Sequence, residues 1–221
     1  MGHRGPRRFR PGHRRLGDFP SPPSVMDPGA GGDLQYIRQT MERSSVFTAV
    51  SGRGMMVIGI SALAVAWLSS RHPFDEHWLQ LWIAEAAFAI CVSLLAIRRK
   101  ALRHGLPWTS GPARKVAFSF APAIVAGAVL TFPMLRAGLS RDLPGLWLVL
   151  YGCGTVAAGA FSLSIVPLMG ATFMVAGAAA LLLPALPSPM PIFNSANLEM
   201  AAGFGVLHLL FGFWIARRHG G

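Results

Sequence analysis

Of 221 residues, 52% are hydrophobic and 13% charged, against about a quarter charged in a soluble domain; with a positive mean hydropathy, this excludes a water-soluble domain of this size. The net charge of +11 does not mark a nucleic-acid binder, because the arginines flank apolar runs, where they set topology and meet anionic lipid headgroups. Cys91 and Cys153 each lie inside an apolar run without a spaced Cys or His partner, so they read as packing residues and not as a disulfide or zinc framework.

Residues 1–32 hold arginine pairs, prolines and glycines with no apolar periodicity, the composition of a disordered basic tail. Arg7-Arg8 and Arg14-Arg15 faintly suggest a twin-arginine export signal, but no apolar stretch follows until Gly54, so that reading fails. Met26 is as good a start as Met1, which would make the first 25 residues an upstream extension. Asp33 can cap a helix running to about Phe47, with Leu34, Ile37 and Met41 on one side and the Arg38/Glu42 pair on the other. This 33–53 segment is expected to be a juxtamembrane amphipathic helix on the cytoplasmic headgroups, serving as entry to the first span or as a docking element for a partner.

Apolar stretches at 54–70, 78–97, 116–135, 144–161, 167–186 and 198–215 are each near the ~20 residues a helix needs to cross a bilayer. They are apolar on every face, which excludes the alternation of a β-barrel. The expected fold is therefore all-α and polytopic: a six-helix transmembrane domain over 54–216 and a short C-terminal end at 217–221. The fourth and fifth spans should form a tight hairpin, with Pro167 opening the fifth helix and Val166 pushed out of helical geometry. Pro122 should bend the third span.

Lys and Arg are distributed unevenly: nine precede residue 54, six lie in 98–115 and two at the C-terminal end, against Arg71, Arg136 and Arg141 on the other side. The positive-inside rule then places both termini in the cytoplasm. Trp67, Trp78, Trp82, Trp108, Trp147 and Trp214 fall near span ends, as interfacial anchors do. Three plus three spans would allow an inverted repeat, but the best internal match, Ala87-Phe88-Ala89-Ile90 with Gly203-Phe204-Gly205-Val206, does not occupy equivalent positions.

Ionisable groups within spans are costly enough to be candidates by default. Glu85 lies roughly 10 Å into the second span and His208 roughly 15 Å into the sixth. Were they to meet, they could relay a proton; the simpler reading is that each makes an interhelical hydrogen bond that fixes rotation. Glu199 enters with the sixth helix at the outer face, where a helix N-terminus favours negative charge. Ala201, Gly205 and Gly212 share helical spacing with His208, a smooth groove suited to a neighbouring helix. Haem ligation at His208 would need a second buried histidine, and His72, His77, His104 and His219 all lie at or outside the interfaces, so no cofactor is assigned. Gly152-Cys153-Gly154-Thr155-Val156-Ala157 matches a dinucleotide fingerprint formally, but no acidic residue follows until Glu199. In a bilayer, Gly152, Thr155 and Gly159 instead form a small-residue packing face. No P-loop, H-E-x-x-H or G-x-S-x-G motif is present, so neither a catalytic residue nor a metal ligand is assigned.

At Tyr36 to Arg43, Phe47 to Val50, Ala201 to Gly205 and on through His208 to Arg218, the chain resembles a group of uncharacterised bacterial multi-span inner-membrane proteins. The resemblance covers roughly 33–221 and implies an inner-membrane setting. It carries no activity and no site residue across. The functional expectation is a non-catalytic membrane module that anchors, senses or binds a partner through 33–53 and the 98–115 loop. A small proton-coupled transporter using Glu85 and His208 is the alternative, and a haem or quinone redox protein a third reading.

Overall fold

The structure, a computed structural model, describes residues 1–2, 32, 50–72, 76–103, 111–183 and 195–219. The chain divides into two units, Met1–Met41 and Glu42–Gly221. Residues 3–31 of the expected 1–32 tail and 33–49 of the expected 33–53 helix lie outside the described residues, as do 104–110 of the basic loop, with Trp108.

Every described element is helical: α1 (Gly52–Ser69), α2 (Glu76–Arg103), α3 (Gly111–Arg136), a 3-10 turn (Ser140–Asp142), α4 (Leu143–Gly159), α5 (Ile165–Leu182), α6 (Ser195–Met200), a π-helical segment (Ala201–Leu207) and α7 (His208–His219). Five described helices are long and apolar enough to cross a membrane: Gly52–Ser69, Glu76–Arg99, Ala113–Arg136, Ile165–Leu182 and the continuous run Ser195–Arg218. The chain thus has the make-up of a multi-pass membrane protein. α4 is apolar but has 17 residues.

Boundaries differ from the sequence expectation for local reasons. α1 starts at Gly52, because the Ser51 hydroxyl caps it by accepting from the Gly54 amide at 3.2 Å. α5 starts at Ile165, so Val166 is helical and not extended; Pro167 still sits in the first turn, where its missing N–H costs nothing. α3 continues as helix through both Pro122 and Pro133, each on its exposed side.

Two antiparallel pairs form the interior. In one, α4 lies against α5 with Gly145, Gly152 and Gly159 facing Gly177, Gly170 and Pro167: a Cβ on Gly152 would come within 2.6 Å of the Gly170 carbonyl oxygen, and one on Gly177 within 2.6 Å of the Val149 amide. In the other, α1 lies against the π segment and α7, with Gly52 and Gly59 facing Gly212 and Gly205. The glycines recur every seven residues in each helix, the spacing that keeps one face turned to a partner along a left-handed crossing. α2 joins the edge of α1, and α3 joins α4 over Gly154, where a Cβ would meet the Phe120 ring at 2.9 Å. These two helices are peripheral: 11% of the residues in their apolar windows are buried, against 33% for α1. Large apolar side chains such as Ile83, Leu94, Phe118 and Val129 are exposed along them, a surface suited to lipid and not to water.

Candidate functional site

The buried ionisable groups among the described residues of the bundle include His208, the first residue of α7 and 3% exposed. Sequence spacing put it on one face with Ala201, Gly205 and Gly212, and the structure corrects this. Gly205 and Gly212 turn to α1, where added Cβ atoms would meet the Leu63 side chain and the Gly52 carbonyl. Ala201 packs with the tryptophans around Trp78. His208 points instead to α4 and α5. For Ala201 and Gly205 the π segment Ala201–Leu207 accounts for the difference: its i→i+5 bonds hold more residues per turn, so spacing counted at 3.6 fails across it. Gly212, four residues beyond His208 within α7, marks the neighbouring edge of the same helix, turned to α1.

Tyr151 of α4 meets His208 there, hydroxyl to Nε2 at 2.8 Å. The Nδ1 atom faces the Phe204 carbonyl one turn back without closing a full hydrogen bond. A proton on Nδ1 leaves Nε2 as acceptor and the Tyr151 hydroxyl as donor, the tautomer that suits both neighbours. Three phenylalanines enclose the pair. Phe120 stands edge-on to Tyr151 (5.5 Å, 90°) and Phe173 lies tilted against it (4.8 Å). Phe204 stacks on the imidazole (6.1 Å, 21°). The five rings come from five segments, α3, α4, α5, the π segment and α7, and the hydrogen bond joins α4 to α7 at their centre. Chemically, the dyad can hold a proton between phenol and imidazole inside an apolar shell.

Glu85, 8% exposed, accepts from the Ser61 hydroxyl of α1 at 2.7 Å. Ser61 also reaches the Ile58 carbonyl at 2.9 Å. Glu85 and His208, considered together from the sequence, thus bond to different helices. Glu199 is half-buried within electrostatic reach of Arg141 and Asp142 on the 3-10 turn. Gly152 and Gly159 line the α4–α5 seam as expected; Thr155 is buried, with its hydroxyl donating to the Tyr151 carbonyl of its own helix at 2.8 Å.

A second polar cluster was not foreseen. Asn197 of α6 is fully buried, and its Oδ1 accepts from the Ser69 hydroxyl and from the Trp78 indole, both at 2.8 Å. This ties α1, α2 and α6 together. Trp78 also stacks on Trp147 (5.7 Å, 12°), whose indole donates to Thr131 at 2.8 Å. Trp78 and Trp82, expected as interfacial anchors, are therefore buried against protein, whereas Trp67 and Trp214 remain exposed. The indole N–H is what draws Trp78 inward, since a buried donor needs an acceptor and Asn197 supplies it. Two asparagines, Asn194 and Asn197, stand near the start of the last span, and nothing in the sequence marks Asn197 for burial.

Comparison with family models, with curated proteins and with solved structures found no match to this chain.

Proposed function

We propose that the chain is a six-span protein of the bacterial inner membrane, related to the multi-span group it resembles, with both termini cytoplasmic, and that it acts as a non-catalytic module. In this reading the bundle anchors the 33–53 segment and the 98–115 loop at the cytoplasmic face, where they bind a partner protein and anionic headgroups.

The sixth crossing is supported by the way α4 matches α5. Gly145 lies opposite Leu181 and Gly159 opposite Pro167, so α4 covers the same depth as a helix long enough to span. Its 17 residues fall at the lower end of the range of about 17–25 that cross a bilayer. The anchoring role is supported chiefly by one observation: the buried polar groups bond to one another between helices, Ser61 to Glu85, Tyr151 to His208, and Ser69 and Trp78 to Asn197. Such bonds fix helix rotation and register.

Parity gives the test. Six crossings put both ends on one side, and five put them on opposite sides. A fluorescent reporter fused after residue 221 and another fused before residue 1 should both fold in the cytoplasm, and a reporter that is active only after export should be silent at both ends. Deleting residues 33–48 should then release the co-purifying partner while the bundle stays monodisperse in detergent. Ends on opposite sides would end the six-span reading; a partner that stays bound after the deletion would end the docking role.

A further inference from the structure

Between α5 and α7 a groove of about 700 Å³ runs along the surface, within the range of about 300–1,000 Å³ seen for ligand clefts. Its floor is apolar, formed by Leu207, Leu210, Phe211 and Phe213, and its mouth carries Trp214, Arg217 and Arg218. From Leu207 to Arg217 the helix rises about 15 Å, half the thickness of a hydrocarbon core of about 30 Å. The groove is therefore as long as one leaflet is deep.

Its charge is one-sided. Arg217 sits over the Phe213 ring at 5.1 Å and Arg218 over the Trp214 ring at 5.5 Å. Stacking holds each guanidinium by its face and leaves the N–H edges to bond outward. The helices that pack around this end, α1, α5 and α7, contain no Asp or Glu, and no acidic residue follows Glu199. Two fixed cations above an apolar trough of leaflet length complement a single kind of occupant.

We infer that this groove seats one anionic phospholipid, with an acyl chain along Leu207, Leu210 and Phe213 and the phosphate bound by Arg217 and Arg218. The inference rests on the membrane reading above and adds a defined site to it. Arginine edges meet phosphate oxygens in paired, charge-assisted bonds, so an anionic phosphatidylglycerol should be held more tightly than zwitterionic phosphatidylcholine.

The test is native mass spectrometry of the full chain, released from nanodiscs containing equal phosphatidylglycerol and phosphatidylcholine. The wild type should retain one phosphatidylglycerol, and the double variant Arg217→Gln/Arg218→Gln should lose it at least tenfold. Leu210→Trp, which fills the trough and keeps both arginines, should lose it equally, so the outcome survives if the double variant folds poorly. Arg136→Gln, whose guanidinium stacks on Phe132 at 4.2 Å at the other end of the bundle, should retain it. Equal retention in the double variant, retention in Leu210→Trp, or equal loss in Arg136→Gln overturns the seat. So does complete displacement by inorganic phosphate alone. A wild type that is monodisperse without detergent would instead sink the membrane reading itself, whereas a detergent-requiring protein with no bound lipid sinks only the seat.

Discussion

The two glycine-matched pairs and the two peripheral helices are built from comparably apolar sequence, yet the pairs are far more buried. α4 touches α5, and α1 touches α7, backbone to backbone at glycines seven residues apart. α2 and α3 have no such seam; the one glycine within α3's span, Gly127, leaves an added Cβ at 3.7 Å from Leu150, an ordinary contact. In water the hydrophobic effect would drive all these helices together. In lipid it does not separate one from another, and close approach together with polar bonds decides which helices pair.

The sharpest way to break this contrast is to put bulk into a seam. Gly152→Leu would drive a side chain into the Gly170 carbonyl, 2.6 Å from the first added atom, and Gly59→Leu into the Gly205 carbonyl at 2.8 Å. Because backbone cannot move aside as a side chain can, each should cost about 3 kcal/mol. Monodisperse protein should largely disappear on size-exclusion chromatography. Val125→Leu on the exposed side of α3 should change stability by less than about 0.5 kcal/mol. A stable Gly152→Leu protein, or a collapsed Val125→Leu one, would show that the pairs are not the structural centre.

The same physics explains what the sequence disclosed. The all-helical class and the long apolar helices were plain from composition and length, because a bilayer demands roughly 20 apolar residues whatever the fold. Gly152, Gly159, Gly205 and Gly212 were legible as packing positions, since small residues at helical spacing have few other uses there. Their partners were not, because a seam needs two helices and each spacing describes one. His208 stood out as a buried histidine, but its orientation was misread: the π segment Ala201–Leu207 resets the helical count and has no residue pattern that announces it. Tyr151 went unremarked because a tyrosine in a span looks like one more aromatic. Trp78 was read as facing headgroups, since its acceptor, Asn197, lies 119 residues away.

A smaller effect probes the point where the pairs meet each other. Replacing His208 with Ala removes a ring from the aromatic cage and leaves the Tyr151 hydroxyl buried without its partner, which should cost about 2–3 kcal/mol. Tyr151→Phe keeps the ring and loses only the bond, for about 1 kcal/mol. The double variant should cost less than the sum, since either change alone already breaks the hydrogen bond. Thermal unfolding in detergent, run as a double-mutant cycle, measures this coupling. Full additivity would mean that the dyad does not join the α4–α5 pair to the α1–α7 pair.

The smallest expected effect concerns how a peripheral helix is held. About a third of the way along its length, α2 bonds to α1 through Ser61 and Glu85, in addition to its Trp78 link to Asn197 nearer its start. Ser61→Ala should cost about 0.6 kcal/mol, the average for an interhelical hydrogen bond in a membrane. Glu85→Gln keeps an oxygen that can accept from Ser61, so it should unfold at the wild-type temperature. If Glu85 is there only to orient α2, the order of effects must be Ser61→Ala above Glu85→Gln. The reverse order would mean that the carboxyl does something an amide cannot, and would move Glu85 from the helix-packing account to one in which a proton is bound at the edge of the bundle.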